Sequence, residues 1–519
     1  MPICFQCSRY PIAFGDCEYT EDGPSQSQML EEQIFLLQTR IEELERPTRG
    51  PSSSQPSSSH RQSTSTSQVT PSNTSALGPL LTYFYLQQTS GTSLNEAATN
   101  SMPTELPFIV LQALAHNFLH NADRCGFFLD TQAFHDAITT TGGQHLPPVL
   151  LNVMYLWGIH LSDDPSISAF EPAFLSHALR STAGSLSGTH PRRILHSLQA
   201  SVLLAYYFIR NARILEGKYH ISAAVSIALS AGLHRIRAPQ GAEAPPISEM
   251  LAPPRDAREE GERISAFWGV LNLNNCFASR DGTCSNISYG GSNSLVIDTP
   301  WPLETADYVE RPYLLPLQSS GTVVKFLRDL PDDATSSSAL YAKAGILYEE
   351  ATRLGGRCRS GGLSPNDPEF TALDRKIDAF TPTLPPIQSQ QMLLVHTLSH
   401  CATIQLHEPL TNTNAGSRTK TLVAARAVVD IHARTEMIPK PMLGLLEPAV
   451  APLWTATCLA FITEIDRQRH EDRGTNTVEM LKDCVDRIIA AMEFFAPGCR
   501  LMTAQLEAVR RAYESIQGE

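Results

Sequence analysis

The sequence predicts an all-α protein, a large helical array over residues 101–519 that follows a cysteine-rich head, a short coiled coil and a disordered linker. Beyond about residue 100, apolar residues recur at helical spacing in eight long segments, and strand-like alternation is missing from them. Between Pro47 and Ala76, 23 of 30 residues are Ser, Thr, Pro or Gln. Such a stretch cannot offset its ordering entropy by burial, so a disordered linker is expected over residues 47–100.

Composition and charge exclude several classes of protein. Charged residues make up 18% of the 519 residues and the net charge is -13, so the chain as a whole has no field that draws it to DNA or to an anionic membrane. No apolar run approaches the roughly 18 residues that a membrane span needs. Most of the eleven cysteines stand alone on apolar segments, which favours reduced core residues over a disulfide framework.

The head, residues 1–20, contains a cluster of three cysteines, Cys4, Cys7 and Cys17. Two thiols at C-x-x-C spacing can bind one zinc ion, because a tight turn brings both sulfurs within the roughly 2.3 Å bond length of a tetrahedral site. No βαβ pattern surrounds them, so a thioredoxin-type redox pair is not favoured. The spacing leaves two interpretations open, a zinc site and three unrelated reduced cysteines.

Residues 28–46 carry a heptad pattern. Ile falls at the a positions and Leu at the d positions, a combination that favours a parallel two-stranded coiled coil. The alternative is one ordinary amphipathic helix packed on the body. About two and a half heptads are too short to be stable without help. The residues of this predicted dimerisation seam are Leu30, Ile34, Leu37, Ile41 and Leu44.

The helical body is interrupted by proline-rich loops at residues 239–254, 300–316 and 382–386. Two of its segments, between Ile194 and Ile236, are apolar nearly all round. A helix of that kind is buried on every side, so both segments are expected in the middle of the array.

The head and coiled coil together resemble the second half of the fungal binuclear zinc-cluster domain. The shared features are C-x-x-C, nine residues, C-E-Y, a short polar linker and a heptad helix ending RIEELE, with Pro2 at the position of a family proline. The resemblance implies that Cys4, Cys7 and Cys17 are the fourth, fifth and sixth of six zinc-binding cysteines. It also implies a homo- or heterodimer through the coiled coil.

The body resembles the fungal-specific transcription factor domain, most closely over residues 104–310. The resemblance rests on PPVLLNVMYLWGIHLS, the long segment from LHSLQASVLL to LSAGLHRIR, EGERISAFWGVLNLNNCFASRDGTCSNI and IDTPWPLE in that order. Asn274 stands where the family usually has Asp, and Cys284 where proline is common. The resemblance implies a nuclear regulator of RNA polymerase II promoters that works with the transcription machinery and is not an enzyme.

DNA reading by this chain is doubtful on its sequence. In the family, the first three cysteines and their interleaved Lys and Arg carry the DNA-reading helix, and this sequence has no counterpart of them. Arg9 is the sole base before the coiled coil, and residues 1–46 hold three arginines against nine carboxylates, a net charge of -6. Phosphate binding depends on cations, so specific DNA binding is not expected and no DNA-contacting residue is assigned. The chain is either a truncated version of a DNA-binding regulator or a regulator that does not bind DNA directly.

Three alternatives remain open. Three thiolates leave a tetrahedral zinc one ligand short, and two heads in a dimer could pool their six cysteines. The chain could instead be an all-α enzyme or small-molecule binding protein with a mis-joined head, which requires a pocket with convergent polar groups and perturbed pKa values. It could also be a competitor that pairs with intact relatives and blocks them.

The remaining groups of histidine and acidic residues are interpreted as structural. Histidines four residues apart can share a metal on a helix, but both pairs here lack a carboxylate ligand at a convincing spacing. No phosphate-binding glycine loop or nucleophile elbow is present. The acidic run Glu259, Glu260 and Glu262 is interpreted as favourable charge near a helix start. The histidine sets are His116 and His120 with nearby Cys125, and His396 and His400 with Cys401.

Overall fold

The computed structural model divides the chain into two units, Met1–Thr70 and Pro71–Glu519, and describes residues of the second unit only. The head, the coiled coil and the linker predicted for residues 1–100 all lie outside the described residues. The described residues are 108–141, 143, 146–162, 164–187, 190–238, 251–277, 285–289, 295–304, 307–308, 319–332, 334–435, 445–471 and 475–517.

Within these ranges the protein is built from sixteen α-helices joined by turns and short 3-10 helices, and no strand occurs. The predicted all-α class is therefore confirmed. The first eight helices are α1 Phe108–Leu119, α2 Thr131–Thr141, α3 Pro148–His160, α4 Pro165–Ser168, α5 Glu171–Ala183, α6 Arg193–Arg210, α7 Ile214–Ser230 and α8 Ala257–Phe277. The second eight are α9 Thr322–Leu327, α10 Ser337–Arg359, α11 Pro368–Phe380, α12 Gln390–His407, α13 Ala415–Thr435, α14 Val450–His470, α15 Thr475–Phe495 and α16 Arg500–Gln517.

Helix α6 is the centre of the array. Every residue from Ile194 to Arg210 is buried, as a helix that is apolar nearly all round requires. It packs against α3, α7 and α8 and also against α16, so it links the first helices of the described chain to the last. The prediction of a central position is confirmed for this helix.

For α7 the same prediction is wrong, because this helix has an outward face. Leu215 and Tyr219, one turn apart, are 81% and 69% exposed, and Ser222 and Ser226 continue the exposed stripe. The buried face consists of small and apolar residues such as Ala224 and Ala228. The sequence of α7 is apolar nearly all round because its buried face is apolar and two large apolar side chains, Leu215 and Tyr219, lie in solvent on its outward face.

Two glycines allow helices to approach closely. A Cβ on Gly158 of α3 would overlap the carbonyl group of Leu114 in α1, and a Cβ on Gly355 of α10 would overlap the carbonyl oxygen of Gln405 in α12. Both helix pairs pack over much of their length. Glycine is thus required at the two points where the backbones are nearest.

None of the helices in the described ranges combines the length and the apolar character needed to span a membrane.

Candidate functional site

A pocket of about 180 Å³ lies where three parts of the chain meet: the C-terminal end of α6, the segment before α14, and the turn between α15 and α16. Its apolar lining contains two aromatic side chains and three aliphatic ones. Its polar lining contains one cation, one carboxyl group and one thiol. The apolar side chains are Leu446, Pro448, Phe494, Phe495 and Met502, and the polar ones are Arg210, Glu447 and Cys499.

Arg210 supplies the charge of this pocket. It is the last residue of α6, where a cation is favoured by the partial negative charge of the helix C-terminus, and it is only 6% exposed. Its Nη1 donates a hydrogen bond of 3.2 Å to the carbonyl oxygen of Leu446. Its Nε is enclosed and has no hydrogen-bond partner among the described residues. The guanidinium is therefore held in place by one bond, with donor capacity to spare.

Glu447 is the carboxyl group of the pocket. The residue as a whole is partly exposed, but its Oε1 is sealed from solvent and no partner for that atom occurs in the described ranges. Burial raises the pKa of Glu447 to about 8, although a hydrogen bond from Tyr206 and the charge of Arg210 both act to lower it. The carboxyl group is mostly protonated at neutral pH, so it does not neutralise Arg210.

Two buried thiols and a buried tyrosine hydroxyl lie near Glu447. The Sγ of Cys276 lies 3.9 Å from the hydroxyl of Tyr341. Burial raises the pKa of the Cys276 thiol to about 12 and raises that of Cys125, which lies near both Arg210 and Glu447, further still. Thiols of this kind are protonated and unreactive at neutral pH. A cation, a neutral carboxylic acid and an apolar wall meet in this pocket, and neither of these thiols is an activated nucleophile. The arrangement is therefore suited to binding a ligand.

The residues to which the sequence assigned metal binding and dimerisation lie in the part of the chain that the structure does not describe. The predicted metal ligands are Cys4, Cys7 and Cys17, and metal binding by them stays a prediction. The predicted dimerisation residues are Leu30, Ile34, Leu37, Ile41 and Leu44, and dimerisation through them stays a prediction too.

Of the first histidine set, His116 lies on α1 and His120 is exposed just beyond the end of that helix, whereas His396 and His400 both lie on α12. The ring of His116 in α1 meets that of His135 edge-on, with 5.8 Å between centroids. In α12, the Nε2 of His396 lies 2.8 Å from the carbonyl oxygen of Pro385, and burial lowers the pKa of His400 to about 4. Across the described part of the chain, no three His, Cys, Asp or Glu side chains converge in a way that could hold a metal ion.

The acidic run begins α8, where Glu259 and Glu260 occupy the first turn as interpreted from the sequence. The structure adds specific partners that the sequence did not indicate. Glu259 accepts hydrogen bonds from Arg255 and Arg263 at 2.8 and 2.7 Å. Glu260 pairs with Arg237 at 2.6 Å, and Glu262 with Arg192. The run therefore ties the start of α8 to the segments that precede α6 and follow α7.

Asn274, the departure from the usual family residue, lies in a network of neutral side chains. Its Nδ2 donates to Ser285 at 2.9 Å and its Oδ1 accepts from Asn286 at 2.9 Å. Tyr289 in turn donates to the neighbouring Asn275 at 2.8 Å. An amide both donates and accepts, whereas an ionised carboxylate only accepts, so this network suits Asn better than Asp.

Sequence reasoning missed Arg210, Glu447 and Cys499. Two of them left a signal, because each is the single charge in an otherwise apolar stretch: Arg210 at the end of LLAYYFIR and Glu447 within LGLLEPAV. A charge in such a stretch is buried with the stretch unless the chain turns there. That the two meet in one pocket could not be read from the sequence, since Arg210 and Leu446 are 236 positions apart.

One family model matches this chain, over a stretch that includes the pocket's cation. Residues 116–279 match the family model of the fungal specific transcription factor domain, which runs from within α1 to just beyond α8 and includes Arg210. The match supports the resemblance of the body and points to a fungal transcription regulator. It does not extend to the cysteine-rich head. The search of curated proteins and the search of solved structures each gave no match.

Proposed function

We propose that this chain is a nuclear regulator of RNA polymerase II genes that acts as a dimer and carries zinc in its head. The observation that carries the proposal is the family match over residues 116–279, which includes the buried helix α6. The role is one of recruiting or blocking the transcription machinery, with no chemical step.

Zinc and dimerisation enter through the head. Thiolates at the spacing of Cys4, Cys7 and Cys17 are the donors that structural zinc prefers, and the heptad seam would bring two such heads together. DNA recognition by residues 1–46 is not part of the proposal. Their net charge of -6 opposes the approach of phosphates.

The regulatory role can be tested by tethering. The full chain is fused to an unrelated DNA-binding protein and placed on a reporter promoter in a fungal host, with the DNA-binding protein alone as the control. We expect reporter transcription to rise or fall several-fold. Unchanged transcription from a fusion that occupies the promoter would argue against a regulator.

Zinc is tested separately by measuring metal content. We expect about one zinc per chain after gentle purification, and its loss in Cys17→Ser, because a tetrahedral thiolate site cannot spare a ligand. A matched control is Cys484→Ser, which alters a cysteine of the body. Metal-free wild-type protein would refute the zinc part and leave the regulatory part standing.

The pocket favours a second role, that of a small-molecule binding protein. The sequence alone made this alternative depend on a pocket with convergent polar groups and perturbed pKa values. Arg210 and Glu447 form such a pocket, and the pKa of Glu447 is raised to about 8. The two roles are compatible, since a regulator can carry a ligand site within its helical domain.

A further inference from the structure

We propose that the pocket beside Arg210 binds a small monocarboxylate with a compact apolar body. The carboxylate would lie against the guanidinium, and the apolar body against Leu446, Phe495 and Met502. This inference goes beyond the proposed role in transcription and does not depend on it.

The case for an anion rests on an unmatched buried cation. Arg210 is 94% buried, and no carboxylate in the described ranges lies within ion-pair distance of it. Its Nε has no partner there, and its Nη1 donates only to a neutral carbonyl oxygen. A buried charge is costly unless it is paired, so an anion that reaches the guanidinium relieves an energetic penalty as well as adding hydrogen bonds.

Glu447 does not fill that role. Its carboxyl group is mostly protonated at neutral pH, because burial outweighs the opposing effects of Tyr206 and Arg210 on its pKa. In this state it can accept or donate a hydrogen bond without repelling a carboxylate.

The space is suited to a small ligand. An apolar cavity of about 150 Å³ is enough to hold benzene, and this pocket measures about 180 Å³. The absence of a side chain on Gly498 contributes to that space. A Cβ there would lie 3.4 Å from the Nη2 of Arg210, directly beside the guanidinium.

The lining favours a monocarboxylate over phosphate. Phosphate carries more charge and is recognised by several cations or backbone donors together. Here one guanidinium is surrounded mainly by apolar side chains. The planar fork of Arg matches the two oxygens of a single carboxylate.

The test uses the purified full chain and isothermal titration calorimetry at neutral pH. The probes are benzoate and 3-methylbutanoate, each compared with its neutral amide, which has the same shape without the charge. Inorganic phosphate is a third probe. We expect each carboxylate to bind at least about tenfold more tightly than its amide and than phosphate. Equal binding of acid and amide, tighter binding of phosphate, or no binding of either acid up to about 10 mM would overturn the proposal.

Variants locate the site. Arg210→Met keeps an unbranched, flexible side chain and removes the charge, and it should abolish the preference for the acid over the amide. Gly498→Leu fills the space beside the guanidinium from an exposed position and should weaken binding at least about tenfold. Gly356→Leu is the matched control, because a Cβ at Gly356 meets nothing within 4 Å. Carboxylate binding that survives in folded Gly498→Leu protein would place the ligand elsewhere and overturn the proposal.

Discussion

Glu464 of α14 accepts two hydrogen bonds from the guanidinium of Arg418 on α13, one of them 2.8 Å long. The Glu464 side chain is 2% exposed and Arg418 23%, so the carboxylate is enclosed and the guanidinium is partly exposed. Burial alone would raise the pKa of Glu464, but hydrogen bonds from Arg418 and Gln468 hold it below its usual value. The pair thus fixes α13 on α14 by a contact that solvent cannot replace.

Replacing this carboxylate should be costly. We expect Glu464→Gln to lower the free energy of unfolding by about 2 kcal/mol, since a hydrogen bond between charged groups is lost and Arg418 keeps only its longer, 3.8 Å ion pair with Glu471. Urea denaturation measures the effect. The matched control is Glu493→Gln, whose partner Arg510 and own side chain are both about half exposed. That change should cost less than about 1 kcal/mol, and equal costs for the two variants would contradict the argument.

A second prediction concerns the pH dependence of stability. The pKa of Glu447 is raised from 4.5 to about 8 in the folded chain. Below 4.5 the group is protonated in both states. As pH rises toward 8 the unfolded state ionises first, which favours unfolding. Glu447→Gln removes this effect, so its stability relative to wild type should improve by the order of a few kcal/mol between about pH 5 and about pH 8.

Urea denaturation of both proteins at several pH values measures that difference. The matched comparison is Glu493→Gln, which alters a half-exposed carboxylate. Its stability relative to wild type should change less between about pH 5 and about pH 8 than that of Glu447→Gln, because water reaches this carboxylate in the folded chain. A difference between Glu447→Gln and wild type that does not change with pH would show that Glu447 ionises in the folded chain as it does in the unfolded one.

The all-α class was predictable because a helix that buries one face shows apolar residues at helical spacing within its own segment. Helix α3 begins at Pro148, directly after Pro147, and α6 is apolar nearly all round, so their existence follows from local residues alone. Helix α10, the longest, lies outside the eight segments that the pattern singles out. Its glycines and charged residues interrupt the helical spacing of apolar residues. One of these charged residues, Lys343, is buried in an ion pair with Asp332.

The pocket was not predictable for a related reason. It depends on three distant parts of the chain meeting at one point, and no local period encodes such a meeting. The exposed face of α7 shows the same limit, since nothing within the segment tells whether Leu215 and Tyr219 will find a partner helix. Sequence reasoning identified which residues could be buried, and the meeting of the end of α6 with the segment before α14 determined which of their polar groups became neighbours.

The third prediction uses two adjacent glycines of α10. A Cβ on Gly355 would overlap the carbonyl oxygen of Gln405, while a Cβ on Gly356 would meet nothing within 4 Å. We expect Gly355→Ala to destabilise the protein by about 2 kcal/mol, because α10 and α12 must move apart. Gly356→Ala should be neutral or stabilising by up to about 1 kcal/mol through helix propensity. Thermal unfolding of the two variants compares them, and similar melting temperatures would show that the helices tolerate the extra atom.

The last prediction addresses self-association through residues 28–46. If Leu37 occupies a d position of a parallel two-stranded coiled coil, Leu37→Asp places like charges against each other in the seam and should abolish the dimer. Gln38→Asp, one position along and outside the a and d set, adds the same charge and should leave the dimer intact. Sedimentation velocity on the full chain gives the mass of each variant. Both variants should keep the helical content of wild type, because the body contributes most of the helix. A dimer that persists in Leu37→Asp would move the contact to another surface, and the outward face of α7, where Leu215 and Tyr219 are exposed, would then be the first to examine.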